Sequence, residues 1–207
     1  MLERLSHAVM LLWGWRRALV VALAGALGAL SLPPFGVFPV LWISFAILVW
    51  ALDGAVEMKP GERLARLGPA FRVGWAFGFG WFLAGLWWIG AAFLVDAEEF
   101  AWLIPIALAS LSIGLGLFYG FATALARLAW SDGPMRILAL AAAFFVAEWL
   151  RGHVLTGFPW NAVGYGFAAD LPMMQIASVI GGYGLSFLAV LVFLTWRLNA
   201  SFWKEVK

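Results

Sequence analysis

An acid and a base one helical turn apart, Glu148 and Arg151, interrupt an otherwise apolar stretch. At i,i+3 spacing their side chains can meet, and a charge near the end of an apolar span is costly unless it is paired or reaches the interface. Two roles follow for Arg151. Either it pairs with Glu148 and fixes the helix end and the loop beyond it, or its guanidinium takes a lipid phosphate or carboxylate. The residues that follow, up to Gly166, are too broken by Gly and Pro for a further span and too apolar for a solvated loop. Irregular backbone at membrane depth survives only where protein or a water-filled cavity satisfies its polar groups. This loop is therefore expected to lie in the outer interface or to dip into a helix bundle. Within it Phe158, Trp160 and Tyr165, and elsewhere Trp88, are the candidates for contact with acyl chains or headgroups, weighed against plain packing and interface anchoring. Gly157 and Pro159 are expected to shape the turn. His153 reads as a polar loop residue rather than a catalytic group.

Composition says what must position these residues. Of 207 residues, 65% are hydrophobic and 12% charged, and the mean hydropathy is +0.96. An average globular protein has roughly 45–50% apolar and about 25% charged residues, so lipid is the solvent here. The pI of 9.3 accompanies a net charge of only +2, with basic residues scattered between apolar runs, which is a topology signal rather than a nucleic-acid one. The sequence has no cysteine. Disulfides, thiolate metal sites and a thiol nucleophile are excluded within it, and with His7 and His153 as its only histidines a metal site is not expected. No cofactor is expected either. The N-terminus lacks the pattern of a cleaved leader. Residues 1–207 read as a single transmembrane domain.

The chain is expected to be all-α, a polytopic bundle of about six transmembrane helices. The spans are placed at about residues 18–32, 35–52, 73–95, 100–125, 135–150 and 173–196, the first stopped by Pro33 and Pro34. Six spans put both termini on one side. That side carries Arg4, Arg16, Arg17, Lys59, Arg63, Arg66, Arg72, Arg127, Arg136, Arg197, Lys204 and Lys207, every basic residue but Arg151, while Asp96, Glu98, Glu99 and Asp170 fall on the other. By the positive-inside rule the termini are cytoplasmic. Gly74 with Gly78, and Gly116 with Gly120, have the spacing that lets helix backbones approach closely. Trp13, Trp15, Trp42, Trp50, Trp102, Trp130, Trp196 and Trp203 lie near span ends and read as interfacial anchors.

The run Glu148-Trp-Leu-Arg-Gly152, then Thr156-Gly-Phe-Pro-Trp160 and Gly164-Tyr165, resembles the signature before the sixth helix of apolipoprotein N-acyltransferases. The likeness continues through Gln175-Ile-Ala-Ser178 and Gly182-Tyr-Gly-Leu-Ser-Phe187. Leu32-Pro-Pro-Phe35, Gly78-Phe-Gly80 and Trp87-Trp88 resemble earlier parts of the same membrane domain. The resemblance implies a bacterial inner-membrane enzyme that moves an acyl chain from a phospholipid to the N-terminal cysteine of a lipoprotein, the last step of lipoprotein maturation. It also implies an acyl-thioester on an enzyme cysteine, with a glutamate base and a lysine, all on a periplasmic nitrilase-like domain. No residue here matches that triad, and Glu148 belongs to the membrane motif instead. The expectation is a membrane domain inactive by itself, from a truncated or split form, with phospholipid and lipoprotein acyl chains as partners, a nitrilase-like domain as a separate one, and no nucleic acid.

A small transporter or a substrate-binding subunit of an uptake system is the alternative, since six helices and this length suit both. Such proteins carry ionisable residues in mid-span or broken helices in paired positions. The spans here are nearly all apolar and show no internal repeat. A gene remnant is the third reading.

Overall fold

Apolar runs too long for any soluble packing become helices because only a helix satisfies its own backbone within lipid. The computed structural model describes residues 2–55, 66–131 and 133–205. Its elements are helices and short 3-10 turns: α1 Leu2–Met10, α2 Gly14–Ala29, α3 Val40–Gly54, α4 Leu67–Gly85, α5 Gly90–Phe93, α6 Ala97–Phe100, α7 Ile104–Leu128, α8 Met135–His153, α9 Leu171–Gln175 and α10 Ala177–Glu205. There is no strand among the described residues. Local chemistry sets several of the boundaries. Pro134 precedes α8 and Pro105 lies in the first turn of α7, where a missing N–H costs nothing. The Asp170 carboxylate accepts the Met173 N–H at 3.2 Å and caps α9.

Helices α2, α3, α4, α7, α8 and α10 occupy the places of the six expected spans. They close a ring in the order α2, α4, α7, α8, α10, α3 and back to α2. The ring is filled with aromatic side chains. Tyr119 and Phe144 lie 4.8 Å apart between centroids, and Phe45 lies 5.5 Å from both Phe77 and Phe144. The expected close approach is between α4 and α7: a Cβ on Gly78 would stand 2.9 Å from the Gly116 Cα, and one on Gly116 3.0 Å from the Phe79 nitrogen. The two small-residue seams face each other, which a larger side chain at either would force apart.

The spans differ in detail from the expectation. Ala97–Leu128 and Ala177–Leu194 are long and apolar enough to cross a membrane by themselves, and a third crossing exists if α4 and Trp87–Phe93, bent by 48°, count as one. Helices α2 and α3, of 16 and 15 residues, fall short of the roughly 20 needed for the hydrocarbon, and α8 carries charge. The third expected span breaks after Gly85 because its apolar run continues through a bend. The last is interrupted at Gly181, whose φ of 72° is non-helical. Helix α1 was not expected. It packs its Val9 side against α3, with Glu3, Arg4, Ser6 and His7 interrupting its apolar residues. Of the tryptophans expected as anchors, Trp13, Trp15 and Trp102 are exposed, whereas Trp50 is buried and Trp130 donates to Asp53 at 3.1 Å. Lys59, Arg63 and Lys207 lie outside the described residues, as do the side chains of Trp196, Arg197, Trp203 and Lys204.

Candidate functional site

Helix α8 carries Glu148 and Arg151 on the face that also buries Phe144 and Ala147. Both charged residues are enclosed, at 0% and 1% exposure. Glu148 Oε1 accepts the Tyr119 hydroxyl at 2.9 Å and the Val163 N–H at 2.8 Å. Its distance to Arg151 Nη2 is 3.9 Å, the outer limit of an ion pair. The shorter bonds of Arg151 run to the loop, where Nη1 donates to the Phe158 carbonyl and, at 2.6 Å, to the Trp160 carbonyl. The guanidinium carbon lies 5.1 Å from the centre of the Phe82 ring, a cation–π contact that stabilises a desolvated charge. The expected meeting of Glu148 and Arg151 exists, but each bonds the loop more tightly than its partner.

The loop between α8 and α9 therefore dips into the ring. Val163, Gly164, Gly166 and Phe167, in a 3-10 turn, are buried. The Gly164 N–H bonds Ser186 Oγ at 2.9 Å, and the Asn161 carbonyl accepts the Trp81 indole N–H at 2.9 Å. Irregular backbone is tolerated at this depth because side chains from α4, α8 and α10 take up its polar groups. Gly157 turns the chain with φ 74°. A Cβ there would strike the Gly152 carbonyl, so glycine is required by conformation and by space. Pro159 sits between the two carbonyls that Arg151 holds.

The candidates divide by exposure. Trp160 is 56% and Trp88 43% exposed, and their rings meet edge to face at 6.1 Å, so residues far apart in sequence share one outer surface. Phe158 and Tyr165 are half-buried against the core. Arg151 is enclosed, and its guanidinium is turned to the loop carbonyls and the Phe82 ring. His153 is not in a loop: it ends α8, bonds the Trp149 carbonyl through Nδ1 at 2.7 Å and stacks on the Trp149 ring at 4.5 Å. Tyr119, Trp81 and Asn161 join the site from outside the sequence signature, and Ser186 from its last run, residues 182–187. Tyr119 offered the one usable signal, a lone phenol within an apolar span. Among the described residues no cluster of acidic or histidine side chains suits a metal.

Beside this loop, α7 and α8 leave an open groove of about 600 Å³ lined by Leu111, Leu115, Phe118, Phe121, Leu150 and Val154, among others. Its walls are almost wholly hydrocarbon, the chemistry of a surface that meets acyl chains.

Comparison with known proteins agrees with the sequence signature. The family model for the apolipoprotein N-acyltransferase N-terminal domain matches residues 24–195. Apolipoprotein N-acyltransferase from Rhizobium etli is 55% identical over 192 residues, covering 93% of this chain and 36% of the relative. The enzyme of that name from Rhizobium rhizogenes is 56% identical over 193 residues with the same coverage, and that from Brucella suis 53% over 193. The chain thus spans 36% of the length of these relatives.

Proposed function

This chain belongs to the apolipoprotein N-acyltransferase family as its N-terminal membrane domain, and from that premise we propose that its outer aromatic surface positions lipid acyl chains for transfer carried out by a further domain. The observation that supports this is the anchored loop. Glu148 and Arg151 hold backbone on both sides of Pro159, which fixes Trp160 against Trp88 at the mouth of the ring. An indole pair is apolar enough for acyl chains and polar enough at its N–H for headgroup depth. In this reading Trp88 and Trp160 touch lipid, Phe158 and Tyr165 back them from below, and Arg151 is a positioning residue. Gly157 and Pro159 set the turn.

The covalent step lies outside residues 1–207. Acyl transfer through a thioester needs a thiolate nucleophile, and this sequence contains no cysteine. The donor phospholipid, the lipoprotein acceptor and a nitrilase-like catalytic domain come to the proposal from the family resemblance. The chain sits in the bacterial inner membrane with α1 on the cytoplasmic side and the Trp88–Trp160 surface on the periplasmic side, as the distribution of basic residues supports.

A photoreactive amino acid at position 160 or 88 tests the reading. Crosslinks to phospholipid acyl chains are expected from both positions and not from position 144, which is buried. Equal crosslinking from all three, or none from 88 and 160, overturns it. Orientation is read in the same cysteine-less background. Leu155→Cys, at a site 97% exposed, should react with an impermeant thiol reagent from outside intact cells, and His7→Cys only after permeabilisation. The reverse pattern sinks the topology.

A further inference from the structure

The opposite end of the ring holds a pocket that the outer site does not use. It has a volume of about 140 Å³ and is lined by Gly14, Arg17, Ala18, Pro69, Arg72 and Val73, between the first turns of α2 and α4. Arg17 is fixed in place: its Nε donates to the Leu12 carbonyl at 2.7 Å and its Nη2 to the Gly54 carbonyl at 2.9 Å. Carbonyls orient a guanidinium but leave its full charge uncompensated. Arg72 is exposed. Among the described residues neither arginine has a carboxylate within ion-pair distance, and Asp53, an acid at this same end, pairs with Arg136 at 3.0 Å. Two like charges facing one pocket repel unless an anion lies between them.

The surroundings say where that anion comes from. Leu11, Trp13 and Trp15 are 80%, 79% and 71% exposed, too apolar for open water and suited to the headgroup layer. Arg16 is exposed and lies over the Trp15 ring at 5.7 Å, and Arg66, just before α4, is exposed. The pocket has room for a phosphate group, and two arginines line it. We infer that the Arg17–Arg72 pocket binds the phosphate of an anionic phospholipid headgroup in the leaflet at the α1 end, a site separate from the acyl-chain surface at the outer mouth.

The full chain in phosphatidylcholine nanodiscs, with and without phosphatidylglycerol, tests this by native mass spectrometry beside thermal melting. Phosphatidylglycerol is expected to be retained in preference to phosphatidylcholine and to raise the melting temperature. Arg72→Gln should weaken that retention about five-fold, the effect of one cation at an anionic surface, and Arg72→Lys should restore most of it. Arg4→Gln removes the same charge away from the pocket and should leave retention nearly unchanged; if it weakens binding as much as Arg72→Gln, the attraction is diffuse and the site is wrong. On the unsubstituted protein, phosphatidylglycerol should protect arginine from phenylglyoxal at positions 17 and 72, which reads the pocket even if Arg72→Gln folds poorly. No preference for phosphatidylglycerol overturns the inference. So does inorganic phosphate in phosphatidylcholine discs matching the stabilisation, because the ligand is then free phosphate and not a lipid.

Discussion

Helix α8 carries an ion pair at each end, and the two are built on opposite terms. At its start Arg136 meets Asp53 at 3.0 Å, with both side chains partly open to the surface. At its end Arg151 approaches Glu148 only to 3.9 Å, and both are enclosed. The shorter pair is the less consequential. A partly exposed pair gains little over hydration, whereas removing one partner from an enclosed pair strands the other charge without water. The buried pair is also the one wired to irregular backbone, through the Phe158 and Trp160 carbonyls and the Val163 N–H. Distance alone puts the Arg136 pair first; enclosure and the groups held beyond the pair put the Arg151 pair first.

The largest effect is expected at the enclosed end. Arg151→Ala should cost about 3–5 kcal/mol, and Glu148→Ala a similar amount, with the double variant recovering part of the loss. Melting of the three variants in one detergent measures this. A loss at Arg151 as small as that at Arg136 would break the contrast. Next comes Tyr119→Phe, which removes a hydrogen bond to a carboxylate while keeping the ring that packs on Phe144. Bonds to charged groups contribute about 1.5–3 kcal/mol, so a melting temperature clearly below that of the unsubstituted chain is expected, and above that of Glu148→Ala. At the other end Arg136→Gln should cost about 1 kcal/mol or less. That loss should shrink further in high salt, while the cost of Arg151→Ala should not.

The sequence revealed one of these pairs and not the other. Glu148 and Arg151 are legible because they share a helix at i,i+3 spacing and interrupt an apolar run. Asp53 and Arg136 are far apart in the chain and meet only when α3 and α8 come together, which no local pattern announces. The same reasoning covers the helices. Six apolar runs locate six apolar helices, but hydropathy does not register the bend after Gly85 or the kink at Gly181, because the residues on both sides are equally greasy. Helix α1 went unseen because a nine-residue stretch with four polar side chains has no span-like signal, and its partner face on α3 is a tertiary fact. The glycine seams of α4 and α7 were visible as spacing; that they face each other was not. In the site, Tyr119 was readable as an oddity. The part played by Asn161 was not, since it acts through its carbonyl, a group every residue has.

The smallest stability effect should fall at Trp160, and that is what makes it the sharpest test of how the two halves of the site divide their work. Trp160 is 56% exposed, and what anchors it is its backbone carbonyl, held by Arg151. Trp160→Ala keeps that carbonyl. The loop should stay docked and stability should fall by about 0.5 kcal/mol, as at other surface positions, the exposed Trp88 ring contact included. Phospholipid retained on purification should nevertheless fall, because the amphipathic ring at the mouth is gone. Arg151→Ala should lose both, since an undocked loop cannot hold Trp160 beside Trp88. Retention that follows stability in both variants would make the indole pair mere packing. Retention that falls in Trp160→Ala while stability holds separates a side chain that meets lipid from a buried charge that places it.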